Sequence, residues 1–215
     1  MSLSRRQFML IGGGGVVLAG AALLKPHNNG APHSTYFLGL TQALKQAGLA
    51  QPTLIIDKHA FDYNIQQVQQ RTVAKKLPVR LVVKSLPSSA LLDYLSTRLQ
   101  TQRFMVFNLP MLNTVLNQYP QGDFLLGKPI AALAVQEWLK VEANRAVLPN
   151  IQWLIDSLER FNEYTQLAAQ FKVTLRVNFE IDVGLHRGGF TQMEGLANVV
   201  KAAKANAQLQ VTGLM

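Results

Sequence analysis

Short apolar runs alternate along this chain with longer segments whose apolar residues recur at every third or fourth position. The runs are 53–57, 79–84, 103–107, 123–126, 151–156, 173–182 and 209–215. Between and before them, 37–47, 59–71, 89–99, 110–119, 130–141, 158–171 and 193–206 carry a helical period. On 59–71, for example, Phe61, Ile65 and Val68 share one face. Brief continuous apolar runs predict strands covered on both sides, and strands alternating with helices predict a parallel sheet. Seven strands in this alternation favour a TIM-type (β/α)8 barrel over an open α/β sheet. No GxGxxG follows any strand, which argues against a dinucleotide-binding fold.

One strand departs from the pattern. In Val173-Thr174-Leu175-Arg176-Val177-Asn178-Phe179-Glu180-Ile181-Asp182 the apolar and polar residues alternate strictly. Helices should cover one side of a βα sheet, so the polar set is expected inside the barrel, near its mouth. Charges there need partners, and a hydrogen-bonded ionic network is the expectation. The glycine-rich turn Val183-Gly184-Leu185-His186-Arg187-Gly188-Gly189 follows and delivers His186 and Arg187 at the strand's end.

Lys84 closes another apolar run, Val79-Arg80-Leu81-Val82-Val83-Lys84, just ahead of the helix-start signal Ser85-Leu86-Pro87-Ser88-Ser89. That spacing places an amine at the carboxyl end of a core strand, where barrel active sites are built. Apolar surroundings would lower the pKa of such a lysine and suit it to Schiff-base chemistry. The alternative is a lysine that ends a strand and points into water. His59 reads as a surface residue near a helix start, Lys128 as a solvated lysine beside a turn, and Trp138 and Trp153 as core. The histidines and acids show no paired metal-ligand spacing, so no metal site is assigned.

The first residues read as an address. Ser4-Arg5-Arg6-Gln7-Phe8-Met9 is a twin-arginine pattern, followed by an apolar, glycine-rich stretch to Leu24 and then Lys25-Pro26. This predicts an export signal of the twin-arginine route, kept as an anchor on the periplasmic side of the inner membrane or cleaved. The stretch is short for a membrane span, and Gly12-Gly13-Gly14-Gly15 lacks the Gly-Lys-Ser/Thr ending of a phosphate loop. Residues 1–31 thus form signal or anchor and linker, 32–52 a short helix and lead-in, and 53–215 the barrel.

Composition bounds the rest. With 48% hydrophobic and 15% charged residues the chain is globular, and without cysteine it has no disulfide, thiolate ligand or thiol nucleophile. The net charge of +9 falls to +6 without residues 1–31, eighteen basic against twelve acidic side chains. The basic residues are scattered rather than striped with aromatics, so no nucleic-acid partner is assigned.

Three segments, in order, resemble one family: Gln51-Pro52-Thr53-Leu54-Ile55-Ile56-Asp57, Val79–Lys84, and Glu180-Ile181-Asp182-Val183-Gly184-Leu185-His186-Arg187-Gly188-Gly189. They are similar to the pyridoxal-phosphate enzymes of the alanine racemase N-terminal-domain superfamily, nearest the branch with D-threonine aldolase and D-serine dehydratase. The resemblance implies a PLP-dependent racemase, aldolase or dehydratase acting at the α carbon of an amino acid, and the branch it is nearest implies a D-amino acid. It implies that Lys84 holds pyridoxal 5′-phosphate as a Schiff base and that Arg187 lies near the cofactor's phenolic oxygen. His186 and Asp182 become neighbours in the same cofactor-binding turn. It also implies that 53–57 pairs with a C-terminal β-domain, leaving six barrel strands of eight here, so that the chain is a fragment. A homodimer is implied for the full-length protein. Two other outcomes stay open, a non-catalytic PLP-binding protein and an inactive fragment. The flanks Val82-Val83 and Ser85-Leu86 lack the histidines usual beside the lysine in that branch.

Overall fold

The computed structural model describes residues 30–86 and 88–215. The twin-arginine stretch, the glycine run and His27 lie outside the described residues. Among the described residues no helix is long and apolar enough to cross a membrane. The chain divides into two compact units, meeting between Ile56 and Asp57.

The first unit holds helix α1, Thr35–Gln46, which buries none of its residues. The expected strand 53–57 is not formed: the segment is extended without a strand partner, and Leu54 is 91% exposed. An apolar β-prone run makes a strand only when a second edge satisfies its backbone, and 53–57 pairs with no strand among the described residues.

The second unit is a six-stranded, all-parallel sheet with helices between the strands. Helix α2 (Lys58–Val73) precedes strand β1 (Leu81–Val82). There follow α3 (Ser89–Leu99), β2 (Arg103–Val106), α4 (Leu109–Gln118), β3 (Asp123–Leu126), α5 (Ala132–Lys140) and α6 (Glu142–Ala146). Then come β4 (Ile151–Ile155), α7 (Leu158–Phe171), β5 (Leu175–Phe179), α8 (Met193–Ala205) and β6 (Leu209–Leu214). The strand order is β1-β2-β3-β4-β5-β6, each strand pairing with the next in sequence. That order never reverses, so the sheet has no switch point; it is the winding of a TIM-type barrel, here not closed between β6 and β1.

Local sequence explains where the helices begin. Asp57, Ser88, Asn108 and Ser157 each cap a helix by accepting a hydrogen bond from the backbone N–H three residues on. Each cap satisfies one of the free donors of the first turn. On the helix side of the sheet, Phe104, Val106, Phe124, Leu126, Trp153, Ile155, Val177 and Phe179 pack into one core with Leu112, Leu139, Tyr164 and Val199. Trp138 and Trp153 both belong to it, their rings edge to face with centroids 5.7 Å apart. Their T-shaped contact suits the ring quadrupoles.

The opposite face, the inside of a barrel, carries the alternate residues. Leu125 and Leu154 are buried there, apart from the helix-packed core. Towards the amino ends of the strands this face is polar. Arg80 pairs with Asp123 at 2.9 Å, and Arg176 approaches the other Asp123 oxygen at 3.6 Å. Gln152 donates to Asp123 at 2.7 Å, and Asn178 donates to Gln152 at 2.9 Å and to the Thr212 hydroxyl at 2.8 Å. The network expected on the polar side of 173–182 is therefore present through Arg176 and Asn178. It lies towards the foot of the sheet rather than at the mouth, because its partners Asp123 and Gln152 stand at the starts of β3 and β4. Beyond β5, Ile181 makes an isolated bridge to Phe190, so the predicted ten-residue strand bends after five. Between Val177 and Asn178 the β5–β6 register slips. Gly213 admits this, since a Cβ there would meet Asn178 Oδ1 at 2.7 Å.

Candidate active site

Lys84 does not end a strand. Strand β1 is only two residues long, and Val83–Ser85 form a single 3₁₀ turn, closed by the Leu86 N–H donating to the Val83 carbonyl at 3.0 Å. Lys84 is exposed, so the apolar enclosure expected from its neighbours is missing: Leu81 and Val83 face the helices instead. Its amine nevertheless has a defined seat. β1 and β2 pair Val82 with Met105, which brings Lys84 level with Phe107, the residue after β2. The Lys84 Nζ lies 4.0 Å from the centroid of the Phe107 ring. The ring in turn lies against Gly127, the residue after β3, where a Cβ would meet Phe107 Cε1 at 2.7 Å.

The next two strands end in acids. Asp156 follows β4 and Glu180 follows β5, and the β4–β5 register sets them level with one another. Glu180 continues the pairing, its N–H donating to the Ile155 carbonyl at 2.9 Å. Burial pushes the Glu180 carboxyl above its ordinary pKa, helped by the negative charge of Asp156. Arg187 pulls the other way, Asp182 adds to the rise, and Lys128 opposes it. Glu180 was legible only as one polar residue of an alternating strand; the burial and the Asp156 charge that raise its pKa come from the fold.

The turn after β5 is held by backbone pairing. Phe190 N–H donates to the Glu180 carbonyl at 2.8 Å, and Asp182 N–H donates to the Phe190 carbonyl at 3.0 Å. Gly189, with φ +104°, closes it, and a Cβ there would meet the Asp182 nitrogen and the Glu180 oxygen at 2.8 Å. Within the turn the His186 Nδ1 is 3.3 Å from Asp182 Oδ2, and His186 takes a left-handed backbone at φ +49°. Asp182 is mostly buried and its Oδ1 has no hydrogen-bond partner, whereas His186 is exposed. Arg187 is exposed and reaches the cluster through its charge on Glu180.

The structure thus brings Asp182, His186 and Arg187 into one turn, and puts Lys84 at the same, carboxyl, end of the sheet. That is the end where barrel enzymes place their chemistry. Two cavities border it. One of about 500 Å³ opens between the first turns of α7 and α8 and is lined in part by Asp156 and Gly189. Another, of about 360 Å³, lies under the Lys84 turn against α3 and α4. Among the described residues no three His, Cys, Asp or Glu side chains are grouped to hold a metal ion.

A pH dependence follows from Glu180. Its folded pKa lies above its unfolded value, so its contribution to stability is complete below the ordinary carboxylate range. That contribution is lost as pH rises through the raised pKa. Glu180→Gln cannot ionise. We expect its melting temperature to exceed that of the native chain at neutral pH, with the gap closing on acidification. A neutral-pH melting temperature at or below the native one would contradict the burial account.

The family profile "Alanine racemase, N-terminal domain" matches residues 56–215, about three quarters of the chain. The chain belongs to that family. Solved structures agree on the fold. D-threonine aldolase from Filomicrobium marinum is 16% identical, over 77% of this chain and 44% of that one, with a TM-score of 0.65. D-threo-3-hydroxyaspartate dehydratase from Delftia sp. HT23 is 19% identical, over 77% of this chain and 43% of that one, with a TM-score of 0.64. Histidine racemase from Leuconostoc mesenteroides subsp. sake is 19% identical, over 68% of this chain and 38% of that one, with a TM-score of 0.55. The chain spans about two fifths of the length of these relatives. No curated protein matches the sequence significantly. The alanine racemase fold family depends on pyridoxal phosphate, and the donor set at the sheet's carboxyl end suits that group. An amine without a carboxylate partner among the described contacts is available to its aldehyde, and Arg187 and Lys128 bring positive charge to the same end.

Proposed function

We propose that this chain contributes the cofactor-binding barrel of a PLP-dependent enzyme acting at the α carbon of an amino acid, with Lys84 as the lysine that holds the cofactor. The observation that carries the reading is the seat of the Lys84 amine: at the carboxyl end of the sheet, on the barrel-facing side, 4.0 Å from the centre of the Phe107 ring. When bound, pyridoxal phosphate supplies an electron sink for the pair left on the α carbon when a substituent departs. This chain's residues supply the rest. Lys84 would hold the cofactor through its amine, and that amine, when free, could take or return a proton at the α carbon. Arg187 provides positive charge beside the cofactor, and Asp182 orients His186 in the same turn. Glu180, its pKa raised by burial, keeps a proton at the mouth to higher pH than an ordinary glutamate. The D-amino acid part of the reading draws on D-threonine aldolase and D-threo-3-hydroxyaspartate dehydratase, the two neighbours with the higher TM-scores above.

The test is spectroscopic. Pyridoxal phosphate added to the 215-residue chain should develop the visible absorbance of a lysine adduct. D-threonine or D-serine should shift that band if the D-amino acid reading holds. Lys84→Ala should lack it. A Lys84→Ala variant that develops the band like the native chain would overturn the assignment.

A further inference from the structure

Phe107 is the side chain nearest to explaining where the Lys84 amine rests. Its ring is 4.0 Å from Nζ, close enough for a cation–π contact. The position of the ring is itself dictated by the backbone. At Gly127 a Cβ would come within 2.7 Å of Phe107 Cε1 and 2.9 Å of Met105 Cγ and Sδ. Any other residue at 127 would push against the ring or Met105. Gly127, Phe107 and Lys84 therefore form a stack across the ends of three adjacent strands, each member seated by the one before it.

We propose that Phe107 is a positioning residue for Lys84: its ring holds the amine at the barrel mouth, on the side where the cofactor aldehyde must be met. An exposed lysine has four rotatable stem bonds, and an amine left to roam them spends little time in any one place. A cation–π contact of ordinary strength restricts the roaming of the ammonium and raises the fraction of time the charged group is in place by about two- to fivefold. In the capture step the ammonium seated on the ring first gives one proton to solvent; the free Nζ then bonds to the aldehyde carbon, and the carbonyl oxygen leaves as water with the two protons that Nζ still carried. The ring takes no part in the bond change. It determines only where Nζ starts. This rests on the reading of Lys84 as the cofactor lysine and adds the residue that makes that exposed lysine selective.

Two measurements on the full chain test it. The first uses no cofactor: the Lys84 side-chain methylene protons should show an upfield ring-current shift by NMR. The shift should vanish in Phe107→Leu, persist in Phe107→Tyr, and change in Gly127→Ala, where the ring is still present but displaced. The second is the rate of covalent capture of pyridoxal phosphate at Lys84. We expect about a two- to fivefold slower rate in Phe107→Leu and in Gly127→Ala, and a native-like rate in Phe107→Tyr. Phe107 lies outside the buried core, and circular dichroism of each variant confirms its fold. If native chain captures the cofactor at Lys84 and Phe107→Leu does so equally fast, the positioning role is wrong while the Lys84 assignment stands. If the native chain captures nothing at Lys84, that assignment fails, and the ring-current result separately decides whether the resting contact exists.

Discussion

Asp123→Ala is expected to lower the free energy of unfolding by about 2–4 kcal/mol. The carboxylate accepts from Gln152, pairs with Arg80 at 2.9 Å, and draws Arg176 to 3.6 Å. Removing it leaves two guanidinium groups facing each other and frees the Gln152 amide, itself 93% buried and bridged onward to Asn178. The loss should fall short of that for a fully buried pair, because the Asp123 and arginine side chains keep 21–32% of their exposure. Arg80 keeps two other acceptors, the carbonyls of Phe104 and Asp123, and Arg176 keeps the carbonyl of Pro149. Asp123→Asn retains an acceptor for Gln152 but not the charge, and should lose less. Urea unfolding of the three chains measures this. A loss for Asp123→Ala under about 1 kcal/mol would show that the network contributes little beyond a surface ion pair.

Gly189→Ala should release the turn that carries His186 and Arg187, at a cost of about 2–4 kcal/mol. The residue has φ +104°, and its missing Cβ would lie 2.8 Å from the Asp182 nitrogen, the Glu180 oxygen and the Ile181 carbonyl carbon. All three are backbone atoms and cannot swing away as a side chain could. The expected consequence is local. The Phe190–Glu180 and Asp182–Phe190 hydrogen bonds break, while the core on the helix side, which Gly189 does not touch, keeps its packing. Hydrogen exchange reads both: the amides of Asp182 and Phe190 should lose protection and those of Val177 and Phe179 should keep it. Unchanged protection at Asp182 and Phe190 would contradict the close packing of this glycine.

The alternation of strands and helices was readable because short apolar or alternating runs separate the helical segments and four of the helices are opened by an Asp, Ser or Asn cap. What failed was local continuation. The run at 53–57 has the composition of a strand but joins no edge among the described residues, and composition does not carry information about partners. The runs at 79–84 and 173–182 continue in sequence past the point where the backbone turns, at Val83 and after Phe179. The strict polarity alternation of 173–182 was a true signal read as one feature. Arg176 and Asn178 serve the foot of the sheet, and Glu180 and Asp182 serve the mouth. Phe107 and Gly127 could not be found from sequence, since an aromatic and a glycine at strand ends are common, and only register brings them beside Lys84. Asp123 was missed for the same reason: its partners are 29, 43 and 53 positions away, at Gln152, Arg80 and Arg176.

The central claim is that Lys84, and no other lysine, holds the cofactor. The direct measurement is to mix the 215-residue chain with pyridoxal phosphate, reduce with borohydride, digest, and sequence the labelled peptides by mass spectrometry. The account predicts one dominant label on Lys84, saturating at cofactor concentrations where Lys58, Lys128 and Lys140 are still unlabelled. Label spread evenly over the exposed lysines, or concentrated on one away from the carboxyl end of the sheet, would contradict it.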